Sequence, residues 1–357
     1  MNFKKDLPLT SSHWGTYRAK VKDGKVKELI GWENDKDPSP IGQGIVDVHN
    51  HQTRIDSPMI RKSWMDKGPG SNNSLRGTDP FISISWDEAE KIVSNELNRV
   101  KNDFGNASIF GGSYGWASAG RFHHAQSQLH RFLNCIGGYT RSKFTYSFAA
   151  AEAMVPHILG SYRAFLDTCT SWESIEDNTE LFICFGGVPL KNGQIAQGGT
   201  GSHKQKEKLI RSANAGIKFV NFSPLKSDLL DEVNGEWLAL RPNTDVAIML
   251  GLAHTLYKEK LYDDKFIKKY TEGFDTFLPY LKGDIDGIVK DANWASSISE
   301  IPSETIILLA KEMSSKRTMI SVSWSLTRQD HGEQPFWAAI MLASMVGQIG
   351  LPGGGFG

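Results

Sequence analysis

The chain has 357 residues, 39% of them hydrophobic, which is enough for two or three domains with a large buried core and argues against wholesale disorder. Its 40 basic and 40 acidic residues cancel, so nothing in the charge balance favours nucleic acid as a partner. The three cysteines form no CxxC pair, which excludes a zinc ribbon or a four-cysteine iron–sulfur site built from this chain alone.

Both ends of the sequence carry information. The N-terminus has no apolar signal region and no twin arginine, and no apolar run approaches the roughly 20 residues of a membrane span. We therefore expect a soluble, cytoplasmic protein. Residues 347–357 form a glycine-rich stretch after an apolar helix. Such stretches usually lead towards a ligand, so we expect a C-terminally truncated chain.

The first part of the chain predicts a β-rich start followed by short mixed elements. Residues 11–32 alternate around Asp23-Gly24, which indicates a hairpin. Ser85 and Glu88 form a capping-box pattern at the start of a helix that should run to about Asn102. A short strand at 107–110 and a helix near 120–135 follow.

From about residue 180 the pattern alternates between strands and helices. Apolar strands are predicted at 181–186, 217–222 and 318–323. Helices are predicted near 200–214, at 244–260 with a strongly amphipathic pattern, from Pro302 onwards, and at 334–348. Strands separated by helices indicate a parallel sheet with right-handed crossovers, so the fold class is α/β.

Polar residues follow three of the predicted strands. Parallel sheets bind ligands at the carboxyl ends of their strands. The candidate segments there are residues 189–192, 223–224 and 324–328. The chain has no GxGxxG and no P-loop sequence, so a plain NAD or ATP fingerprint is absent.

Residues 111–115 match GxSxG between a predicted strand and a predicted helix, which is the context of a hydrolase nucleophile. Ser113 would then be the nucleophile, with His254 or His331 as a possible base. Because short matches of this kind are common, a glycine-rich turn is the favoured interpretation, and serine hydrolysis is a remote alternative.

Two further groups invite a metal or a structural interpretation. His123, His124 and His130 share one predicted helix, but their spacing does not provide two ligands one turn apart, so packing is favoured. Ser147 precedes an alanine-rich helix, where a lone serine is usually an N-cap. Pattern alone would not nominate Ser147 as a metal ligand.

The stretch from Ser113 to Asn134 closely resembles the biotin sulfoxide reductase branch of the dimethyl sulfoxide reductase family, which includes trimethylamine N-oxide reductases. The same resemblance extends, in order, over nearly the whole chain. It is carried by residues 13–15, 54–61, 241–245, 331–334 and 348–357.

The resemblance implies a molybdenum ion held by two molybdopterin guanine dinucleotides, with Ser147 as the one protein ligand. The implied reaction removes oxygen from an S-oxide or N-oxide with two electrons and two protons, and releases water. The relatives that carry an iron–sulfur cluster have N-terminal cysteines. Since none precedes Cys135 here, electrons would come from a separate donor protein or reductant.

The resemblance also implies roles for individual side chains. Trp116 and Tyr114 match catalytic positions whose N–H and O–H groups donate hydrogen bonds to the transferred oxygen, and Tyr114 favours sulfoxide substrates. Dinucleotide contacts are expected from a set of strand-end residues: Lys191, Asn192, Ser223, Asn243, Thr244, Asp245, Trp324, Ser325 and Arg328.

This sequence departs from the family pattern at two positions. Thr145 stands where an acidic residue is usual, and Val188 stands where Asn or Asp is usual, so each change could remove hydrogen bonds near the cofactor.

We predict a β-rich segment at 1–56, a mixed domain at 57–160 with 340–357, and an inserted Rossmann-like domain at 161–339. The alternative to an oxide reductase is a fragment that has no catalytic activity and at most binds the dinucleotide cofactor.

Overall fold

The computed structural model describes residues 6–49, 51–112, 124–195 and 201–357. The chain divides into two compact units. The N-terminal unit contains Met1–Lys143 and Ile195–His203, and the sheet unit contains Phe144–Gln194 and Lys204–Gly357. Each is described by itself below. The predicted domain boundaries stay predictions.

The N-terminal unit opens with a three-stranded antiparallel sheet in the order β1-β2-β3, made of Leu9–Ser12, Gly15–Lys22 and Lys25–Gly31. Asp23 and Gly24 connect β2 and β3 with φ of 53° and 71°, which confirms the predicted hairpin. The buried Tyr17 hydroxyl lies 2.9 Å from the Ser39 carbonyl and 3.0 Å from that of Trp14, so it anchors the segment after the hairpin.

The remaining described elements of this unit are short, apart from one long helix. In chain order they are α1 Ile41–Val48, β4 Met59–Arg61, α2 Lys62–Lys67, β5 Phe81–Ser83, α3 Trp86–Phe104, β6 Phe110–Gly111, α4 Ala125–Cys135 and β7 Thr140–Arg141. β4 pairs with β5 antiparallel, and β6 pairs with β7 parallel. The strand predicted at 107–110 is wrong over most of its length, because Asn106–Ser108 form a 3-10 helix and β6 begins only at Phe110. The capping box of Ser85 and Glu88 is present at the start of α3, as predicted.

The sheet unit is built on a five-stranded parallel sheet in the order β10-β9-β8-β11-β12. Its strands are β8 Leu181–Phe185, β9 Lys218–Phe222, β10 Glu236–Leu238, β11 Thr318–Val322 and β12 Gly355–Phe356. The three predicted strands are confirmed, and so is the α/β class. β10 and β12, the shortest strands of this sheet, were not predicted.

Helices connect and cover these strands. They are α5 Ala149–Leu159, α6 Tyr162–Asp167, α7 Trp172–Asn178, α8 Leu190–Gly193, α9 Gln205–Asn214, α10 Asp245–Lys258, α11 Asp264–Tyr270, α12 Phe274–Leu281, α13 Ala292–Ser299, α14 Ser303–Ser315 and α15 Gln334–Val346. Among the described residues, none of the helices is long and apolar enough to span a bilayer.

Both faces of the sheet are apolar, which explains why β8 reads as a continuous hydrophobic run. Leu181, Ile183 and Phe185 point into one core cluster with α10, α13, α14 and α15. Phe182 and Cys184 point into the opposite cluster with Leu209 of α9. Since alternate residues of a strand face opposite sides, two helical layers must cover this sheet.

The helix α10 differs from its predicted character. Ten of its fourteen residues are buried, including the run from Ala247 to Ala253. The expectation of a strongly amphipathic helix is wrong, because α10 lies at the centre of the larger core cluster and packs against α13, α14 and α15.

Candidate metal and cofactor site

Two glycines at the end of β8 allow the strand ends to come together. Gly186 and Gly187 have φ of 82° and 74°, which other residues adopt only with strain. A Cβ on Gly187 would lie 2.5 Å from both the Cβ and the carbonyl oxygen of Asp228. A Cβ on Gly186 would lie 2.8 Å from that of Ser323. These close contacts lie at the edge of the sheet where the carboxyl ends of the strands meet.

A polar network occupies that edge and contains two of the expected cofactor residues. The Ser223 hydroxyl donates to Asp228 Oδ2 over 2.6 Å, and Lys191 Nζ lies 3.3 Å from Asp228 Oδ1. The Trp237 indole N–H donates to the Ser223 carbonyl over 2.8 Å. Because 64% of the Lys191 side chain is exposed, this ammonium group can also serve an anionic ligand.

The backbone around Val188 is tied down although its side chain cannot form hydrogen bonds. The Val188 N–H donates to the Asp228 carbonyl over 2.7 Å, and Gln205 Nε2 donates to the Val188 carbonyl over 3.1 Å. The Val188 side chain packs against the core cluster around Phe182. The departure at Val188 therefore leaves a well-held loop with one polar side chain fewer. Asn192 lies in α8, where its N–H donates to the Pro189 carbonyl.

A second group of expected cofactor residues precedes and opens α10. Asn243 is exposed with φ of 65°, and the Thr244 hydroxyl donates to the Arg241 carbonyl over 2.5 Å. Asp245 is 3% exposed, and within the described part of the chain its Oδ1 accepts no hydrogen bond. Burial raises the pKa of the Asp245 carboxyl to about 6. Such an acceptor can take a hydrogen bond from a bound ligand.

Ser147 lies just before α5, and it does not cap that helix. The N-cap is Phe148, which makes no side-chain capping bond, so the N-cap interpretation of Ser147 is wrong. Ser147 is exposed, and its hydroxyl has no hydrogen-bond partner among the described residues. This free oxygen is available to a ligand.

The backbone of Ser147, in contrast, is bonded on both sides. Its N–H donates to Thr145 Oγ1 over 3.2 Å. Its carbonyl accepts from Arg328 Nε over 3.0 Å and lies 3.3 Å from Thr327 Oγ1. The structure therefore brings Arg328, an expected cofactor residue, to the expected metal ligand.

The segment after β11 completes this group. The Trp324 ring packs on Phe148 with ring centroids 4.2 Å apart. The Ser325 hydroxyl is exposed and donates to Ser323 Oγ over 2.9 Å. Trp324 and Ser325 thus belong to the same turn as Arg328, a 3-10 helix at Trp324–Arg328.

Several sequence candidates lie elsewhere. Trp116 and Tyr114 lie outside the described residues, as do Ser113 and His123. His124 caps α4 by accepting from the Ser127 N–H, and His130 stacks on Tyr139 with centroids 5.2 Å apart. Where the structure describes the chain, no three His, Cys, Asp or Glu side chains could hold a metal ion.

Sequence reasoning missed Asp228 and Gln205, and it did not predict the contact that Thr327 makes with Ser147. Asp228, Gln205 and Thr327 organise the strand-end loops through side-chain hydrogen bonds. Thr327 lies in the strand-end segment at 324–328 that the sequence indicated, but no sequence pattern predicted its contact with Ser147. The signal for Asp228 is its position five residues after Ser223.

Two family models match this chain. One, described as molybdopterin oxidoreductase, matches residues 54–357, and the other, described as molybdopterin oxidoreductase N-terminal domain, matches residues 10–48. The chain belongs to the molybdopterin oxidoreductase family, which confirms the resemblance seen in the sequence.

Three curated relatives show which members of this family the chain is similar to. The chain is 42% identical over 349 residues to the dimethyl sulfoxide/trimethylamine N-oxide reductase of Rhodobacter capsulatus, covering 98% of this chain and 42% of that protein. It is 43% identical over 324 residues to the biotin sulfoxide reductase of Cereibacter sphaeroides, covering 91% and 44%. The trimethylamine-N-oxide reductase of Haemophilus influenzae is 39% identical over 349 residues. The chain thus spans less than half the length of these relatives.

A solved structure agrees on the fold. The acetylene hydratase of Pelobacter acetylenicus superimposes with a TM-score of 0.65 at 20% identity, covering 96% of this chain and 44% of that one. At this identity the likeness concerns the fold alone.

The described residues fit a bound dinucleotide. Asp245 offers a buried acceptor to which no residue in the described ranges donates, while Lys191 and Arg328 offer exposed cations for phosphate groups. The free Ser147 hydroxyl offers a hard oxygen donor suited to a high-valent metal.

Proposed function

We propose that this chain forms part of a molybdenum-dependent reductase of S-oxides or N-oxides, and that it contributes residues to a bis(molybdopterin guanine dinucleotide) site. The observation that carries the proposal is the exposed Ser147 hydroxyl, which has no hydrogen-bond partner in the described part of the chain while its backbone is bonded on both sides. The activities of the relatives from Rhodobacter, Cereibacter and Haemophilus, which are reductases of S-oxides or N-oxides, support the substrate class.

When bound, the cofactor supplies two-electron oxygen-atom transfer at molybdenum. Ser147 would hold the metal through its side-chain oxygen Oγ. Trp116 and Tyr114 donate hydrogen bonds to the substrate oxygen, where negative charge develops as the S–O or N–O bond breaks. Two electrons and two protons balance the reaction, and the oxygen leaves as water.

The strand-end residues would bind the dinucleotides. Asp245 would accept hydrogen bonds from guanine N–H groups, since no described residue donates to its buried Oδ1. Arg328 and Lys191 contact pyrophosphate oxygens. Smaller contacts come from polar groups beside them: Asn192, Ser223, Asn243, Thr244, Trp324 and Ser325.

We propose that the electrons come from a separate donor protein or reductant, and that the protein is located in the cytoplasm.

Ser147→Ala tests the proposal. The chain is produced in a host that makes the molybdopterin cofactor, and metal, guanine nucleotide and reduction of dimethyl sulfoxide and trimethylamine N-oxide are measured. The wild-type chain should retain molybdenum and guanine nucleotide. Ser147→Ala should lose the serine oxygen from the metal shell, seen by X-ray absorption, and most turnover.

The control is Ser142→Ala, which removes an exposed serine hydroxyl five positions earlier in the sequence. Both variants should unfold at the wild-type midpoint, because the Ser147 hydroxyl has no partner to lose among the described residues. Retention of guanine nucleotide without turnover would favour the alternative of a dinucleotide-binding fragment. A wild-type metal shell and rate in Ser147→Ala would refute Ser147 as the ligand.

A further inference from the structure

We propose that Thr145 and Arg328 are positioning residues that fix the main chain of Ser147 from its two sides, with Thr327 supporting the Arg328 turn. This inference rests on the proposed function, because it assigns these residues to the placement of the metal-binding oxygen. It also makes Arg328 the link between an anionic ligand and Ser147.

On the amino side, a local turn holds Ser147. Thr145 Oγ1 accepts from the Ser147 N–H over 3.2 Å, two residues along the chain. The Thr145 N–H in turn donates to Glu152 Oε2 over 3.2 Å. Glu152 lies in the first turn of α5, so the turn that carries Ser147 is tied to that helix. A side-chain oxygen that accepts from the N–H two residues on is the bond that Asp or Asn makes in an Asx turn. Thr145 therefore supplies an acceptor at a position where the sequence departs from the family pattern.

On the carbonyl side, the two donors are unequal. Thr327 Oγ1 lies 3.3 Å from the Ser147 carbonyl but 2.8 Å from that of Trp324. A hydroxyl has only one hydrogen, and the shorter contact is the stronger, so Thr327 chiefly secures its own turn. Arg328 Nε, at 3.0 Å, is then the main donor to Ser147.

With both backbone groups held, only the side-chain torsion of Ser147 remains free. The neighbouring Phe148 ring packs on Trp324 and on Tyr162, with centroids 4.2 and 5.7 Å away, which holds the chain immediately after Ser147. The hydroxyl oxygen is thereby restricted to about three staggered positions around a fixed Cβ.

Arg328 uses only Nε for this purpose. Its two terminal nitrogens make no hydrogen bond within the described ranges, and the side chain is exposed. A guanidinium can donate through Nε while its outer face takes an anion. Binding of a phosphate group at that face would therefore order the donor that holds the Ser147 carbonyl.

Hydrogen exchange of the segment around Ser147 in the purified chain is the first test, because it needs no bound metal. Thr145→Val removes the acceptor at constant size, and Arg328→Met removes the donor while keeping an aliphatic stem. Each should speed exchange of the Ser147 amide region about five- to tenfold, as expected for loss of one hydrogen bond. Thr145→Ser should restore the wild-type rate. Thr327→Val should have the smaller effect.

Lys226→Met is the control for Arg328→Met, since Lys226 is an exposed cation of the same unit that does not contact Ser147. It should exchange like the wild type. Inorganic pyrophosphate should slow exchange near Ser147 in the wild type and in Lys226→Met, but not in Arg328→Met. Wild-type exchange in both Thr145→Val and Arg328→Met, or an equal pyrophosphate response in all chains, would overturn the inference.

The loaded chain gives the second readout. X-ray absorption should show a weakened or heterogeneous serine oxygen in the metal shell of Thr145→Val, and recovery in Thr145→Ser. If exchange responds as expected but no molybdenum is ever retained, the proposed function fails while the positioning stands. If molybdenum is bound through Ser147 with an unchanged shell in both Thr145→Val and Arg328→Met, the positioning roles fail while the proposed function stands.

Discussion

His203 and Asp35 form a buried pair in the N-terminal unit, with His203 Nδ1 2.7 Å from Asp35 Oδ2. The His203 backbone N–H also donates to Asp35 Oδ1 over 3.0 Å, and the two side chains are 2% and 1% exposed. Gly15 packs directly on the imidazole, since a Cβ there would lie 2.9 Å from Cε1. This pair therefore joins residues 168 apart in sequence within one unit.

We predict that His203→Ala strongly destabilises the N-terminal unit. The Asp35 side chain would stay buried after losing the imidazole that contacts its Oδ2, and an unpaired buried polar group typically costs about 1–3 kcal/mol. Asp35→Asn keeps an oxygen acceptor for the backbone N–H and should cost less. The measurement is urea unfolding combined with hydrogen exchange of β1–β3. His51→Ala, an exposed histidine of the same unit, is the control and should change stability by less than about 0.5 kcal/mol. Equal effects of the two alanine variants would contradict the role given to the pair.

We predict that Gly187→Ala disrupts the strand-end network. Both the positive φ and the approach of Asp228 to 2.5 Å oppose a Cβ at this position. Gly216→Ala is the matched control, because Gly216 has φ of 92° but open space around its Cβ. The control should cost only backbone strain, about 1 kcal/mol, whereas Gly187→Ala should cost roughly 1–3 kcal/mol more. Thermal unfolding and guanine nucleotide content after purification measure the two effects. Similar losses in both variants would show that the close approach is unimportant.

We predict that Asp245→Asn stabilises the ligand-free chain in a pH-dependent way. Burial raises the pKa of Asp245 from its usual 3.8 to about 6, so the folded chain keeps a proton that the unfolded chain has already lost. The stability from this proton is complete below pH 3.8 and is lost as pH rises through 6. Above that, the buried carboxylate costs roughly 2–3 kcal/mol, and asparagine removes the cost.

Urea unfolding of both chains at pH 4 and pH 8 checks this sign. The gain of Asp245→Asn over the wild type should be near zero at pH 4 and largest at pH 8. The same variant should retain less guanine nucleotide, because an amide replaces one acceptor with a donor. A stability difference that does not change with pH would show that Asp245 is not the group responsible.

Sequence periodicity predicted the architecture where elements are long and consistently patterned. The strands β8, β9 and β11 and the helix α3 with its capping box were all visible. β10 and β12 have three and two residues, too few for a pattern to emerge. The buried character of α10 was missed because it depends on packing from three other helices.

Sequence patterns predicted less of the candidate site than of the fold. Ser147 and the dinucleotide residues came from the family resemblance, and their roles stay predictions. The contacts of Thr145, Thr327 and Asp228 depend on side chains brought together by folding, sometimes across 180 residues of sequence. The exposed hydroxyl of Ser147, which is unbonded as far as the structure describes the chain, likewise has no signature in a single sequence.

The bond between Arg328 and the Ser147 carbonyl joins residues 181 apart in the chain. Contacts of such long range form late, because a large loop must close before they contribute. A partly synthesised or partly folded chain therefore has the serine but not the support on its carbonyl side. The Ser147 oxygen is therefore held in place only when the sheet unit has folded completely. Before that stage, Ser147 would behave as an ordinary flexible serine.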